Sequence, residues 1–349
     1  MSISPFDHPF LSGLLGDAEV SGYFSAKADI RAMLDFEAAL AKVEAQHGVI
    51  PQAAAQRIGE VCRSFEPDLQ SLKMATATDG VVVPDLVRQL RKAVGEDAGS
   101  HVHFGATSQD VVDTSLMMRL KAVVFLLSGR LFAVSAGLQR LDNQFGSNRL
   151  MGRTRMQAAI AITVSDRLRA WRHPLDQYRD RLTQETFALQ FGGAAGTLEK
   201  FGPKAAEIRA SLAQALGLTD EPQWQSQRGR IAELAGLLSM ISGSLGKIGQ
   251  DIALLAQTGD EIDLAGGGGS SAMPHKQNPV AAETLVTLAR FNAVQLSGIH
   301  QSLVHEQERS GAAWTLEWLL LPQMVVATAA SLRQALQLLG MIKRLGTAS

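Results

Sequence analysis

The segment Ser108–Phe145, SQDVVDTSLMMRLKAVVFLLSGRLFAVSAGLQRLDNQF, decides the fold. It carries no proline and reads as one helix, roughly 55 Å long at about 1.5 Å per residue. Asp110 in its first turn suits the positive end of the helix dipole. Val111, Leu116, Leu120, Val123, Leu127, Leu131 and Val134 belong to a broad apolar surface. A helix so long and so widely apolar needs other long helices against it.

Four further long helical patterns follow. They cover residues 157–189 with Pro174 as a kink, 226–257, 279–304, and 312–343 with an interruption at Pro322. Gly243, Gly246 and Gly249 on the third long helix would let a neighbour approach closely. Upstream, residues 1–25 read as irregular, and shorter helices are expected over 27–47, 51–65 and 84–94. The chain thus divides into an N-terminal helical domain, 1–98, and a long-helix domain, 99–349. The short strand candidates are 81–83 and 261–264. Five such helices cannot cover their apolar faces within one thin bundle, so those faces are expected to meet other subunits.

Composition narrows the function. With 33 basic and 34 acidic residues the net charge is −1, which gives no bulk attraction to nucleic acid. Cys62 is the single cysteine, so no intrachain disulfide forms and no cysteine metal cluster is expected. The first residues, MSISPFDHPF, lack a basic region followed by an apolar run. The apolar run 122–127 is short and Arg130 follows it, so no membrane span is expected. These features predict a cytoplasmic protein.

The densest chemistry lies in residues 266–279, GGGGSSAMPHKQNP. Glycines can turn successive N–H groups toward one point. Ser270, Ser271, Lys276 and Asn278 add hydroxyls, a cation and an amide, and Pro279 suits the first turn of a helix. Such a set fits a substrate whose carboxylates gain charge in the transition state. GGGGS alone also fits a flexible linker, but SSAMPHKQNP does not, and the phosphate-loop pattern is not met. Before the first long helix, residues 101–110, HVHFGATSQD, place Gly105 for a tight turn and Thr107 or Ser108 for the cap. Free N–H groups at a helix start also hold carboxylates. His101 and His103 have no third ligand at helical spacing, so no metal is expected. Residues 152–157, GRTRMQ, flank Thr154 with two arginines that could hold a dianion or form a solvated helix entry. Residues 305–310, HEQERS, alone would pass as a polar loop.

Together these patches resemble the fumarase/aspartase superfamily. GSSAMPHKQNP is similar to its G-S-S-x-M-P-x-K-x-N-P signature, HFGATSQD to its first region and GRTRMQ to its second. The resemblance implies an all-α, fumarase/aspartase-like long-helix bundle and a homotetramer with a twenty-helix core. It also implies active sites assembled from three subunits, with no cofactor. Ser270 matches the catalytic base and Ser271 is the fallback. Lys276 and Asn278 match carboxylate ligands, His103, Thr107, Ser108 and Gln109 the first region, Thr154 and Gln157 the second, and Arg309 and Ser310 a late carboxylate patch.

One departure selects the branch. Superfamily members that release an amine or a purine generally read G-R-T-H in the second region, where this chain has Arg155. A carboxylate can leave without an acid, and Arg155 could hold it. GATSQD, then Glu308-Arg309-Ser310, Trp314 and Glu317-Trp318, resemble the 3-carboxy-cis,cis-muconate cycloisomerases. That branch implies lactone closure of a small tricarboxylate in protocatechuate breakdown through β-ketoadipate. An adenylosuccinate-lyase-like C–N lyase, a non-catalytic relative or a small-molecule sensor are the other readings. The resemblance further implies a small C-terminal helical domain. The sequence stops near the fifth long helix, so the expectation is a chain that lacks this domain or is truncated.

Overall fold

The computed structural model describes residues 4–269 and 278–348. The N-terminal part packs four helices, α1 (Ala26–Gln46), α2 (Gln52–Ser64), α3 (Leu69–Asp79) and α4 (Val83–Val94). Each start has a local cause. The Ser25 hydroxyl accepts from the Ala28 N–H and the Asp68 carboxylate from the Gln70 and Ser71 N–H groups, as side-chain caps do. Pro84 sits in the first turn of α4, so the β-branched run 81–83 enters a helix rather than a strand. The stretch expected to be irregular contains two helical turns, Ser12–Leu15 and Ala18–Gly22.

Five long helices follow among the described residues: α5 (Ser108–Phe145), α6 (Val164–Gln184), then, after a shorter α7 (Ala205–Leu216), α8 (Gly229–Thr258), α9 (Val280–Gln301) and α10 (Gly311–Met341). The second starts later than expected, because residues 149–163 form an antiparallel hairpin, β1 (Arg149–Thr154) and β2 (Gln157–Thr163). Its turn residues Arg155 and Met156 have φ of 47° and 66°, the left-handed pair that a two-residue hairpin turn needs. The helix begins at a capping box, in which Thr163 and Asp166 exchange hydrogen bonds. It ends at Gln184, and Ala188 bridges Thr219 in extended backbone. Helix α10 runs unbroken through Pro322. The strand candidate 261–264 is present as β3 (Ile262–Leu264), paired with β4 (Ile342–Leu345).

Contacts fix the direction of each helix. Asp113 meets Trp314 and Arg130 meets the Ala329 carbonyl, so α5 and α10 run parallel. Ser135 binds Asp176, while Ser165 N–H reaches Gly146 O, so α6 returns antiparallel to α5. Helices α8 and α9 are antiparallel and closely packed. A Cβ at Gly246 would stand 2.5 Å from the Ala289 Cβ, and one at Gly249 2.5 Å from the Ala282 carbonyl oxygen. Gly243 faces open space instead. One apolar cluster runs from Phe6 to Leu345 and joins the N-terminal helices to the bundle.

Helices α5, α8 and α10 are long and apolar enough to cross a membrane by length and composition, beyond what the run 122–127 suggested. Of their most apolar windows, 44%, 61% and 61% are buried within the chain. Asp113 on α5 and Glu317 on α10 are fully buried acids. Helix-on-helix packing accounts for much of this apolar character.

Candidate active site

At one end of the bundle, α5, α8 and α10 all begin. The turn before α5 is tight: Gly105 has φ +66°, and a Cβ there would stand 2.4 Å from the Phe201 ring. Asp110 is fully buried and gathers the surrounding backbone. Its carboxylate accepts from the N–H groups of Thr107, Gly192 and Gly193 and from the Gln190 amide, at 2.8–3.0 Å. Burial pushes its carboxyl up to about 6, against those four hydrogen bonds, which favour the ionised form.

Arg309, just before α10, reaches back to this turn. Its Nε donates to Gln109 Oε1 at 2.9 Å and its Nη2 to Thr107 Oγ1 at 3.2 Å. The structure therefore brings Thr107, Gln109 and Arg309 together. Gln109 is fully buried with both amide atoms engaged, because Nε2 donates to Asp113 and to the Gln225 carbonyl. Ser310 is also buried, and its hydroxyl caps α10 by accepting from Ala313 N–H. Ser108 is half-buried in the first turn of α5, and its hydroxyl has no hydrogen bond among the described residues. His103 has φ +63° and places Nδ1 2.6 Å from Glu37 Oε1. Arg309 itself is exposed, so the end offers a cation, a hydroxyl and an imidazole edge to an anion.

Behind that surface lies an ion cluster that sequence reading missed. Arg228 is 1% exposed and forks between Glu317, at 2.9 and 2.6 Å, and Asp113, at 2.6 and 3.1 Å. Its guanidinium stacks on Trp224 at 4.5 Å, and Trp314 Nε1 donates to Asp113 at 3.0 Å. Burial opposes the Arg228 cation, but the two carboxylates hold its pKa above the ordinary range. Burial likewise disfavours the Glu317 anion, yet the hydrogen bonds from Arg228 and the nearby His305 ring, 3.8 Å away, hold its carboxyl below the usual range. A continuous chain results: Glu317, Arg228, Asp113, Gln109, Arg309. The available signal was Asp113, one turn beyond Gln109 on an otherwise apolar surface.

The opposite end carries the other patches. Gly268 and Asn278 exchange backbone hydrogen bonds of 2.9 Å on either side of the glycine-rich segment. A cavity of about 790 Å³ beside them is lined by Gly266, Asn278, Gln334 and Met341, among others. Ser270, Ser271 and Lys276 lie outside the described residues. The hairpin attaches at this end, where Glu261 accepts from Met151 N–H and pairs with Arg153 at 2.6 Å. Its tip residues Thr154, Arg155 and Gln157 are exposed, as are Met156 (72%) and Ile160 (71%).

Arg309 precedes α10, whereas Ala265 N–H binds the carbonyl of Met341 at its far end. Helix α10 has 31 residues, which separates the two ends by about 45 Å. Within one chain, Thr107 and Arg309 cannot meet Asn278 over a single small substrate.

Comparisons with known proteins agree with this architecture. The Lyase family model matches residues 17–294. A 3-carboxy-cis,cis-muconate cycloisomerase of Pseudomonas aeruginosa is 38% identical, covering 92% of this chain and 72% of that protein. The protein of the same name in Bradyrhizobium diazoefficiens is 37% identical, covering 93% and 74%. The crystal structure of 3-carboxy-cis,cis-muconate lactonizing enzyme from Pseudomonas putida superposes with a TM-score of 0.90 at 35% identity, covering 96% of this chain and 77% of that one.

Proposed function

The chain belongs to the lyase family of the fumarase/aspartase superfamily, and from that membership we propose that it closes 3-carboxy-cis,cis-muconate to 4-carboxymuconolactone. A carboxylate oxygen of the substrate forms the new C–O bond. The electron pair of the attacked double bond moves to the neighbouring carbon, which takes up a proton. Ser270 handles that proton, acting as base in the reverse direction, with Ser271 as fallback. Lys276, Asn278, Thr107, Ser108 and Arg309 hold carboxylates, and His103, Thr154 and Gln157 complete the binding set. Gln109 and Ser310 support it through Arg309 and the α10 cap.

Arg155 is the observation that carries this reading. It stands at an exposed hairpin tip, where it can meet a carboxylate from outside its own chain. It offers a permanent charge but no proton for an amine leaving group. A carboxylate that adds or leaves needs no such proton.

The site is completed by other subunits of a homotetramer, with three chains contributing to each site. The separation of about 45 Å along α10 supports this, as do the exposed apolar residues Met156 and Ile160 on the hairpin and Phe125 and Phe132 on α5. Residues 1–98 and 99–349 form the two domains, and the protein works in the cytoplasm on a small tricarboxylate. The test follows loss of the diene absorbance of 3-carboxy-cis,cis-muconate with wild type and Ser270→Ala, and offers adenylosuccinate in parallel. Rapid loss with wild type, abolished by the substitution, is expected. Turnover of adenylosuccinate instead would refute the proposal.

A further inference from the structure

Lys276 and Arg155 reach the proposed site from other subunits, and at the α5 end Arg309 stands beside a second group that can carry positive charge. We propose that Glu37 of α1 is a positioning residue that keeps His103 protonated, making the imidazolium a second cation for a substrate carboxylate. The inference rests on the reading of the site given above.

The geometry is specific. His103 Nδ1 lies 2.6 Å from Glu37 Oε1, and the two side chains are 14% and 1% exposed. Glu37 comes from 66 residues upstream, so this is a tertiary contact rather than a local turn. The His103 backbone is held at φ +63°, a conformation uncommon for a side-chain-bearing residue and one that the surroundings must maintain. With Nδ1 engaged, Nε2 is the nitrogen left over, and it has no partner among the described residues. Glu37 Oε2 is buried and also has no hydrogen bond. The Glu37 carboxylate therefore depends on His103 for its compensation.

The other groups around the pair fit this assignment. Burial works against a charged His103, but the charge and hydrogen bond of Glu37, helped by Asp110 on α5, outweigh it, while Arg91 on α4 opposes them. The imidazole pKa is raised as a result. Glu44 lies two turns along α1 from Glu37 and is fully buried. Burial, then the Glu37 charge, push its carboxyl up to about 9, so it is neutral near pH 7. Cys62 on α2 is likewise pushed up to about 12, chiefly by burial, and is uncharged. The His103 cation is present below the ordinary histidine range, persists above it and disappears as pH rises through the raised value. In that state Nδ1–H is donated to Glu37 and Nε2–H is available to an anion.

The experiment pairs two readouts on the full-length protein. The first is an NMR titration of ring-labelled histidine, with His103 assigned by His103→Gln. The second is kcat and KM against pH with 3-carboxy-cis,cis-muconate. Glu37→Gln keeps an acceptor but removes the charge. It should lower the His103 titration by about one pH unit or more. It should also raise KM about tenfold near neutral pH, with a smaller change in kcat, and move the alkaline fall of kcat/KM to lower pH. Glu44→Gln replaces one neutral buried group with another and should leave the titration and the profile in place. A His103 titration unmoved by Glu37→Gln overturns the proposal, and so does an unchanged KM. If Glu37→Gln does not fold, the wild-type titration decides, because a value at or below the ordinary histidine range overturns it equally. If wild type does not turn over the muconate, the functional reading falls, while the titration still settles the Glu37–His103 pairing.

Discussion

Replacing Arg228 with methionine is the sharpest test of the buried network. The side chain is among the largest fully buried ones in the chain, and methionine approximates its length without its charge. Asp113 and Glu317 are themselves 0% and 1% exposed, so the substitution leaves two carboxylates in the interior with no cation between them. Removing one partner of a buried ion pair costs about 3–5 kcal/mol. Here one cation serves two anions and also stacks on Trp224, which places the expected loss near the top of that range, about 5 kcal/mol. Urea unfolding followed by circular dichroism and tryptophan fluorescence reads it, at one fixed protein concentration because subunit association adds to stability. The pH dependence supplies a second check. In wild type the Glu317 carboxyl is held below its usual range, against burial, by Arg228 and His305. Its contribution is therefore present above the ordinary glutamate value and lost as pH falls through the folded one. In the variant the sign reverses, since stranded carboxylates take up protons. The deficit should shrink between pH 7 and pH 5. A loss below about 1 kcal/mol, or a deficit that grows as pH falls, would refute the reasoning.

Gly249→Ala should destabilise by about 1–3 kcal/mol, read as a fall in urea midpoint, because the new Cβ meets the Ala282 carbonyl at 2.5 Å and Leu285 Cβ at 2.9 Å. Asp110 should titrate at about 6 by 13C NMR, raised chiefly by burial. Its share of stability is present below the ordinary aspartate range and lost as pH rises through 6, so Asp110→Asn should flatten that part of the stability profile. Arg155→Asn should leave the melting curve within about 0.5 kcal/mol, since asparagine tolerates the left-handed turn. It should lower kcat/KM by about 10- to 100-fold, the worth of a charged hydrogen bond; full activity would remove Arg155 from the site.

The long helices were legible because their signal is local: sustained apolar surface, starts of familiar type and, in α5, no proline over 38 residues. The hairpin was not. QAAIAIT in β2 is rich in alanine, which favours helix, and only the pairing with β1 and the left-handed Arg155–Met156 turn overrides that preference. The end where α5, α8 and α10 begin was legible as residues but not as partners. Thr107 and Arg309 are 202 residues apart, and nothing in either neighbourhood announces the contact. Arg228 lies next to the start of α8, where an arginine would ordinarily be solvated. Its burial depends on Asp113 and Glu317 converging from two other helices. Gly243 shows the reverse error, because the spacing that marks Gly246 and Gly249 as contact glycines says nothing about which side of α8 carries the neighbour.

The ion cluster also imposes a timetable on synthesis. Glu317 follows Arg228 by 89 residues, so at about 5–20 residues per second the ribosome delivers the second acid roughly 4–18 s after the cation. Until then Arg228 has only half its eventual coordination, and the end of the bundle where α5, α8 and α10 converge is better off wet than closed. The nascent chain therefore has a built-in wait: the helices can form as they emerge, but their shared end dries only after the first turns of α10, which carry Glu317, have left the tunnel.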